Sequence, residues 1–219
     1  IGLPSKVRYE VRGHTCSEIR DGIVVSEMEK SDPINWVSEL QQRTKAFYRD
    51  DLPRFLGGLV GYFGYETIHL IEKRVGGSDP KPDSIGCPDI LLLHSDEVIV
   101  YDNLASKLYF VVFANPKETG AYDIAQKRLS TLFLALRQPV AELPEERRQL
   151  EQPLEETSEN QFYQSVERAK EYICEGDIMQ VVLSQRMSVP FHAPPLSLYR
   201  ALRALNPSPY MFYFNLQDF

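Results

Sequence analysis

The sequence has little of what several large classes of protein require. Cysteine occurs three times, at Cys16, Cys87 and Cys174, far apart and in odd number. We therefore expect reduced thiols, as in cytoplasmic proteins, and neither a disulfide framework nor a cysteine zinc site. No apolar run approaches the roughly 20 residues of a membrane-spanning helix, and no signal peptide is recognisable. Acidic residues outnumber basic ones and the net charge is −7, which argues against nucleic acid or an anionic membrane as a partner.

Familiar catalytic motifs are also missing. Four histidines are present, but no carboxylate–histidine cluster has ligand spacing, so no metal site is predicted within the chain. No serine lies in a nucleophile-elbow pattern. Residues 57–66 (GGLVGYFGYE) repeat glycine every third position, yet aromatic side chains and the lack of a Lys-Ser or Lys-Thr pair exclude a phosphate-binding loop. These glycines instead predict a strand that packs closely on its neighbour or bulges.

What the sequence does contain is enough for a folded core divided into two parts. Of its 219 residues, 43% are hydrophobic, which is ordinary for a globular protein. Residues 138–157 hold three prolines and six glutamates without periodicity, which is typical of a linker. We therefore predict a first domain at 1–137, a linker at 138–157 and the start of a second domain at 158–219. The chain is expected to be an internal fragment of a longer enzyme.

Local patterns predict the helices and strands. Asp32 followed by Pro33 predicts a helix start, and that helix should continue to about Arg49. Ser158 and Gln161 match a capping box for another helix, which should end at Gly176. Further helices are predicted at 119–137 and 195–205, a loop at 76–88, and strands at 6–12, 22–28, 57–66, 89–94, 97–101, 107–114 and 210–216.

Residues 176–187 (GDIMQVVLSQRM) are the least generic part of the chain. Their β-branched and apolar residues predict a strand. Alternate side chains of a strand point to opposite faces, so Met179, Val181 and Leu183 would share an apolar core face. The opposite face would carry Gln180, Val182, Ser184 and Arg186. A face of that composition suits either a wet cleft or the solvated side of an antiparallel sheet.

Four segments resemble the anthranilate synthase component I family of chorismate-utilising enzymes: residues 57–66, 88–103 (PDILLLHSDEVIVYDN), 176–186 and 206–213 (NPSPYMFY). The resemblance implies an α/β fold of the α+β type, with antiparallel sheets flanked by helices in two layers. It implies a lyase of tryptophan biosynthesis that adds ammonia to C2 of chorismate, releases the 4-hydroxyl and eliminates pyruvate to leave anthranilate. It further implies Mg²⁺, an ammonia-supplying glutamine amidotransferase subunit, and feedback inhibition by tryptophan.

The resemblance also places much of the active site outside the sequence. The Leu-Leu-Glu-Ser motif of the family would precede Ile1, and its Mg²⁺-holding glutamates, its histidine and most chorismate contacts would follow Phe219. Only one side of the site is then expected in this chain, which should be inactive by itself.

Two sets of site residues follow from the resemblance. Related enzymes that add water carry a lysine general base at the position of Gln180, and ammonia needs no such help. Gln180 is therefore expected to be catalytic, orienting ammonia through its side-chain carbonyl. The rigid turn after residue 205 resembles the inhibitor site for tryptophan, and its expected binding residues are Asn206, Pro207, Pro209, Tyr210, Met211 and Phe212.

Two other functions stay open from the sequence. Aminodeoxychorismate synthase component I shares the fold, the substrate and the glutamine, and only the Pro-Tyr-Met turn separates the two families within this chain. A non-catalytic ligand-binding or regulatory module could also keep this fold. A helix stop running into a core strand would explain the prolines of the turn without any ligand.

Overall fold

The computed structural model describes residues 1–43, 45–72, 74–75, 83, 85–140 and 152–216. The chain divides into two compact units. Unit 1 comprises Ile1–Pro139 with Phe214–Phe219, and unit 2 comprises Val140–Tyr213. Most of the linker predicted at 138–157 and of the loop predicted at 76–88 lies outside the described residues. No helix in the described part of the chain is long and apolar enough to cross a membrane.

A five-stranded antiparallel sheet forms most of unit 1, with the strand order β3-β2-β1-β5-β4. Tight turns join β1, β2 and β3, whereas β5 comes from far along the chain and places β1 at the centre. The five strands are β1 (Val7–Arg12), β2 (Thr15–Arg20), β3 (Ile23–Glu29), β4 (Gly58–Phe63) and β5 (Ile90–Ser95).

One helix, α1 (Pro33–Arg43), covers one face of this sheet. It begins as predicted, because the Asp32 carboxylate accepts a hydrogen bond from the Asn35 N–H at 2.8 Å. Trp36 and Leu40 are buried on the helix and pack with apolar side chains of β1, β2 and β5. Trp36 meets Tyr9 edge to face, with ring centroids 6.0 Å apart.

The glycine-rich segment forms strand β4, as its composition predicts. Gly61 lies opposite Leu92 in the β4–β5 ladder. A Cβ atom on Gly61 would overlap the backbone carbonyl of Leu91, so only glycine permits this close approach. After β4 the chain makes a 3₁₀ turn at Tyr65–Thr67 and a single helical turn, α2 (Ile68–Ile71).

A second, smaller sheet completes unit 1. It is a hairpin of β6 (Glu97–Asp102) and β7 (Lys107–Val112), covered by helix α3 (Ala121–Leu136). Phe133 of α3 meets Phe110 of β7 edge to face, with ring centroids 6.4 Å apart. All the paired strands in the described residues are antiparallel, and the predicted α+β class of antiparallel sheets with helices is confirmed.

The described part of unit 2 contains two helices and little sheet. Helix α4 (Glu159–Glu175) is followed, after an irregular segment, by helix α5 (Pro195–Leu205). The two-residue strands β8 (Leu154–Glu155) and β9 (Met187–Ser188) pair with each other.

Two predictions about unit 1 were wrong. The first helix ends at Arg43 and not near Arg49; Phe47, which lies within the predicted range, is 86% exposed. A helix persists where its apolar face is packed, and the last buried residue of α1 is Leu40. Strand β2 was missed because its sequence, TCSEIR, is mostly polar. Hydrogen bonds to β1 on one side and β3 on the other hold it in the sheet.

Two predictions about strands near the end of the chain were also wrong. Residues 177–186 are irregular rather than a strand, and so are residues 210–216. Met179, assigned to a core face, is 97% exposed. Strand-forming composition becomes a strand only when a neighbouring strand supplies the hydrogen-bond ladder, and among the described residues only Met187 and Ser188 of this region gain one.

Candidate functional site

Helix α4 directly precedes the segment that contains Gln180. The capping box predicted at its start is present: Ser158 Oγ accepts a hydrogen bond from the Gln161 N–H, and Gln161 Oε1 accepts one from the Ser158 N–H. At its end Gly176 takes the left-handed conformation, φ +83°, and its N–H donates to Ile173 O. The chain therefore leaves the helix axis at Gly176, four residues before Gln180.

The Gln180 side chain faces solvent. Gln180 is exposed, as are its neighbours Met179 and Val182. Its carboxamide makes no hydrogen bond within the part of the chain that the structure describes. The amide can therefore donate to or accept from a small polar molecule without first breaking a protein contact.

The far end of the same segment is held by the residues that precede α4. The Glu156 N–H donates to Arg186 O at 3.2 Å, and Gln185 Nε2 donates to Thr157 O at 3.3 Å. Arg186 Nη1 lies 3.5 Å from Glu156 Oε1. The guanidinium predicted to share a polar face with Gln180 is thus engaged by a carboxylate from elsewhere in unit 2.

The proline-rich turn follows α5. The Asn206 N–H donates to Leu202 O at 2.9 Å and ends the helix. Asn206 lies outside the left-handed region, with a φ of −140° and a ψ of 71°. The cause is Pro207, because a residue before proline is driven toward an extended φ.

Side chains of this turn differ in exposure. Tyr210 is 91% exposed and Phe212 is 75% exposed, whereas Met211 is half-buried. Just after the turn, Tyr213 packs on Tyr199 of α5, with ring centroids 6.0 Å apart. No described hydrogen bond or ion pair joins Gln180 to residues 206–211.

Sequence reasoning missed an open apolar cleft between α4 and the segment that follows it. The cleft measures about 410 Å³ and is lined mainly by apolar side chains, among them Phe162, Val166, Ile173, Val181 and Leu183. Two sequence patterns could have indicated this cleft: the apolar stripe of α4, and the apolar residues Val181 and Leu183 at alternate positions after it. Both patterns predict a packed core, which is why the cleft was not anticipated.

Within the described part of unit 2, charged side chains do not form a metal centre. Among the residues that the structure describes, no group of three histidine, cysteine, aspartate or glutamate side chains could hold an ion. Two groups on α4 have shifted pKa values: a hydrogen bond to Glu159 raises the pKa of Tyr163, and a hydrogen bond to Glu171 raises the pKa of Arg168. Neither group is among the predicted site residues.

Comparison with known proteins assigns the chain to a family. Residues 6–219 match the family described as chorismate binding enzyme, and the chain belongs to that family. Proteins named anthranilate synthase component 1 from Pseudomonas putida, Pseudomonas aeruginosa and Neisseria meningitidis are 46%, 45% and 42% identical to it. Each match covers 100% of this chain and 45% of the relative.

A solved structure supports the same relationship. The crystal structure of anthranilate synthase component I from Streptococcus pneumoniae matches with a TM-score of 0.79 and 26% sequence identity. The match covers 99% of this chain and 47% of that structure. The chain thus spans a little under half the length of the relatives it matches.

Proposed function

We propose that the protein to which this chain belongs is an anthranilate synthase component I, a lyase of tryptophan biosynthesis. Ammonia adds to C2 of chorismate, the 4-hydroxyl departs as water, and elimination of pyruvate leaves anthranilate. The observation that carries the proposal is the match of the whole chain to relatives of that name at 42–46% identity. Membership of the chorismate binding enzyme family supports the substrate.

Gln180 is proposed to orient the attacking ammonia. Ammonia is a good nucleophile without a general base, whereas water is a poor one and needs that help. A neutral amide with no other hydrogen bond in the described structure can accept from ammonia through its side-chain oxygen. The solvent-facing position of Gln180 supports this role, since ammonia must reach it.

The turn at 206–212 is proposed to bind tryptophan as a feedback inhibitor. Two prolines restrict its backbone, and it presents two exposed aromatic rings beside a half-buried methionine. A polarisable thioether and aromatic rings are suited to a flat indole.

Three further features belong to the proposal for the whole protein. Mg²⁺ is expected, but the described residues contain no cluster that fits it. A glutamine amidotransferase subunit is the expected source of ammonia. The lack of paired cysteines supports a cytoplasmic location.

The decisive experiment joins this chain to the part of a relative that it does not span. In an exchange chimera, this chain replaces the matched 45% of the Pseudomonas putida relative. We expect the chimera to form anthranilate, followed by its fluorescence, from chorismate with Mg²⁺ and ammonium, and the 219-residue chain alone to form none. Chorismate binding without turnover would favour the regulatory module.

A further inference from the structure

The turn between β2 and β3 consists of two exposed residues, Asp21 and Gly22, whose φ values are both positive, +47° and +81°. The strands that it joins are in register next to the turn, since Arg20 pairs with Ile23. A two-residue hairpin turn with two positive φ values is of type I′, for which Asp-Gly is a favoured sequence. The conformation of Asp21 and Gly22 is therefore fixed by the pairing of the strands on either side.

Asp-Gly is also the sequence in which an aspartate most easily cyclises onto the backbone, because glycine has no Cβ to shield its amide nitrogen. In this reaction the Gly22 nitrogen bonds to Asp21 Cγ, water leaves and a succinimide forms. Water then opens either carbonyl of the ring and yields aspartate or isoaspartate, with no oxidant or reductant required. The 219 residues contain one Asp-Gly pair, Asp21–Gly22, and no Asn-Gly pair.

The backbone of the turn, and not the Asp21 carboxylate, opposes this cyclisation. Within the described residues the carboxylate makes no hydrogen bond or ion pair, whereas the Asp21 N–H donates to Lys6 O at 2.8 Å. The first residue of a type I′ turn has a ψ of about 30°, which places Asp21 Cβ nearly opposite the Gly22 nitrogen across the Cα–C bond. Ring closure needs both on the same side, so the turn must open first.

We propose that Asp21 is a site of isoaspartate formation that the β2–β3 hairpin keeps unreactive, so that modification occurs when β3 separates from β2. Isoaspartate carries the main chain through Cγ and adds a methylene group to the backbone. A turn lengthened in this way no longer matches the register in which Arg20 pairs with Ile23. The modified chain therefore cannot re-form the same hairpin. The inference does not depend on the proposed reaction.

Ageing of the 219-residue chain in native buffer and in guanidinium chloride, at one pH and temperature, compares the closed turn with the open one. Methylation by a protein isoaspartate methyltransferase measures the product, and chromatography of proteolytic peptides locates it. The fluorescence of Trp36, which is 3% exposed, reports whether unit 1 stays folded. We expect isoaspartate at residue 21 to form at least about tenfold more slowly in native buffer, because only the opened fraction reacts.

A matched pair of variants at Ile23 tests the role of the hairpin. The closing hydrogen bond of such a turn runs from the Ile23 N–H to the Arg20 carbonyl. Ile23→Pro removes that donor and should raise the rate in native buffer to within about threefold of the rate in guanidinium chloride, while Trp36 stays buried. Ile23→Thr keeps the N–H and the β-branching at this 69% exposed position, and should stay slow.

Three results would overturn the inference. The first is an equal rate for wild type in native buffer and in guanidinium chloride. The second is the absence of isoaspartate at residue 21 from the unfolded chain. The third is an unchanged native rate in Ile23→Pro with Trp36 still buried, since opening of this turn would then not control the reaction. The wild-type comparison holds whether or not Ile23→Pro folds.

Discussion

The guanidinium of Arg128 on α3 forms a bidentate ion pair with the carboxylate of Glu97 on β6. Nε donates to the two carboxylate oxygens at 2.8 and 2.9 Å, and Nη2 donates to Oε2 at 2.7 Å. The residues are 31 positions apart in sequence, so the pair fixes the helix to the hairpin that it covers. Bidentate geometry of this kind is specific to arginine.

The first prediction concerns that pair. Arg128→Lys keeps the charge but cannot form the bidentate pair, so it should lower the free energy of unfolding of unit 1. The loss should be only about 1 kcal/mol, because the Arg128 side chain is 41% exposed and solvent screens the interaction. Urea unfolding of wild type and Arg128→Lys measures this loss, and Arg128→Ala, Glu97→Ala and the double variant measure the coupling energy of the pair. A coupling energy indistinguishable from zero would show that the pair does not hold α3 in place.

The second prediction concerns the close approach of β4 to β5. Gly61→Ala should destabilise unit 1 by about 3 kcal/mol, since the new methyl group would overlap the Leu91 carbonyl and push the strands apart. Gly13 is the control: its φ is +57° and no atom lies within 4 Å of an added Cβ. Gly13→Asn should cost under about 1 kcal/mol, because asparagine tolerates that conformation. Equal costs in urea unfolding would contradict the packing explanation.

The third prediction is a dependence on pH. Burial, followed by the neighbouring Cys87 thiol, raises the pKa of Tyr62 from 10.0 to about 12, and its hydroxyl donates to Pro88 O at 3.0 Å. Above pH 10 the unfolded chain loses the Tyr62 proton before the folded chain does. The contribution of Tyr62 to the free energy of unfolding is therefore complete below pH 10 and is lost toward pH 12. The unfolding free energy of unit 1 should therefore fall over that range, and fall less steeply in Tyr62→Phe. If the unfolding free energies of wild type and Tyr62→Phe fell equally steeply with pH, Tyr62 would not be the group responsible.

Local signals predicted the features whose cause lies within a few residues. The caps at Asp32 and Ser158 and the helix stop at Gly176 each depend on a neighbour one to four positions away. The glycines of β4 were correctly interpreted because they alternate with aromatics and aliphatics in a short strand. Such signals require no knowledge of the tertiary structure.

Features decided by distant partners were not predictable. The contact of Arg128 with Glu97 and the polar strand β2 depend on elements brought together by the fold. The strand predicted at 177–186 is absent for the same reason: its residues favour a strand, but without a neighbouring strand in the described structure to supply hydrogen bonds the segment stays irregular. The exposed position of Gln180 follows from that failure, so the sequence located the candidate residue but not its surroundings.

The fourth prediction concerns the nucleophile. In the exchange chimera, Gln180→Lys should reduce anthranilate formation and permit some addition of water to chorismate, because lysine introduces a general base. Leu104→Lys adds the same charge at a 99% exposed position of unit 1, outside the predicted site residues, and should leave the product unchanged. Chromatography of the products would reveal a hydroxylated species. Unchanged amination with no such species would show that Gln180 does not face the reacting carbon.

The fifth prediction concerns inhibition. If the turn at 206–212 binds tryptophan, Met211→Thr in the chimera should weaken inhibition roughly five- to thirty-fold, or about 1–2 kcal/mol, through loss of a polarisable apolar contact with the indole. Catalysis without inhibitor should change little. Leu205→Thr is the matched control, because Leu205 is 83% exposed and ends α5 just before the turn.

Inhibition curves at matched chorismate saturation measure this effect, and reciprocity provides a second readout. Two sites coupled in binding affect each other equally, so the Met211→Thr variant should also lose the effect of tryptophan on chorismate affinity at tryptophan concentrations that saturate only the wild type. Equal tryptophan sensitivity in wild type and Met211→Thr would leave the turn with a structural role, in which Pro207 and Pro209 end α5 and restrict the backbone that follows it.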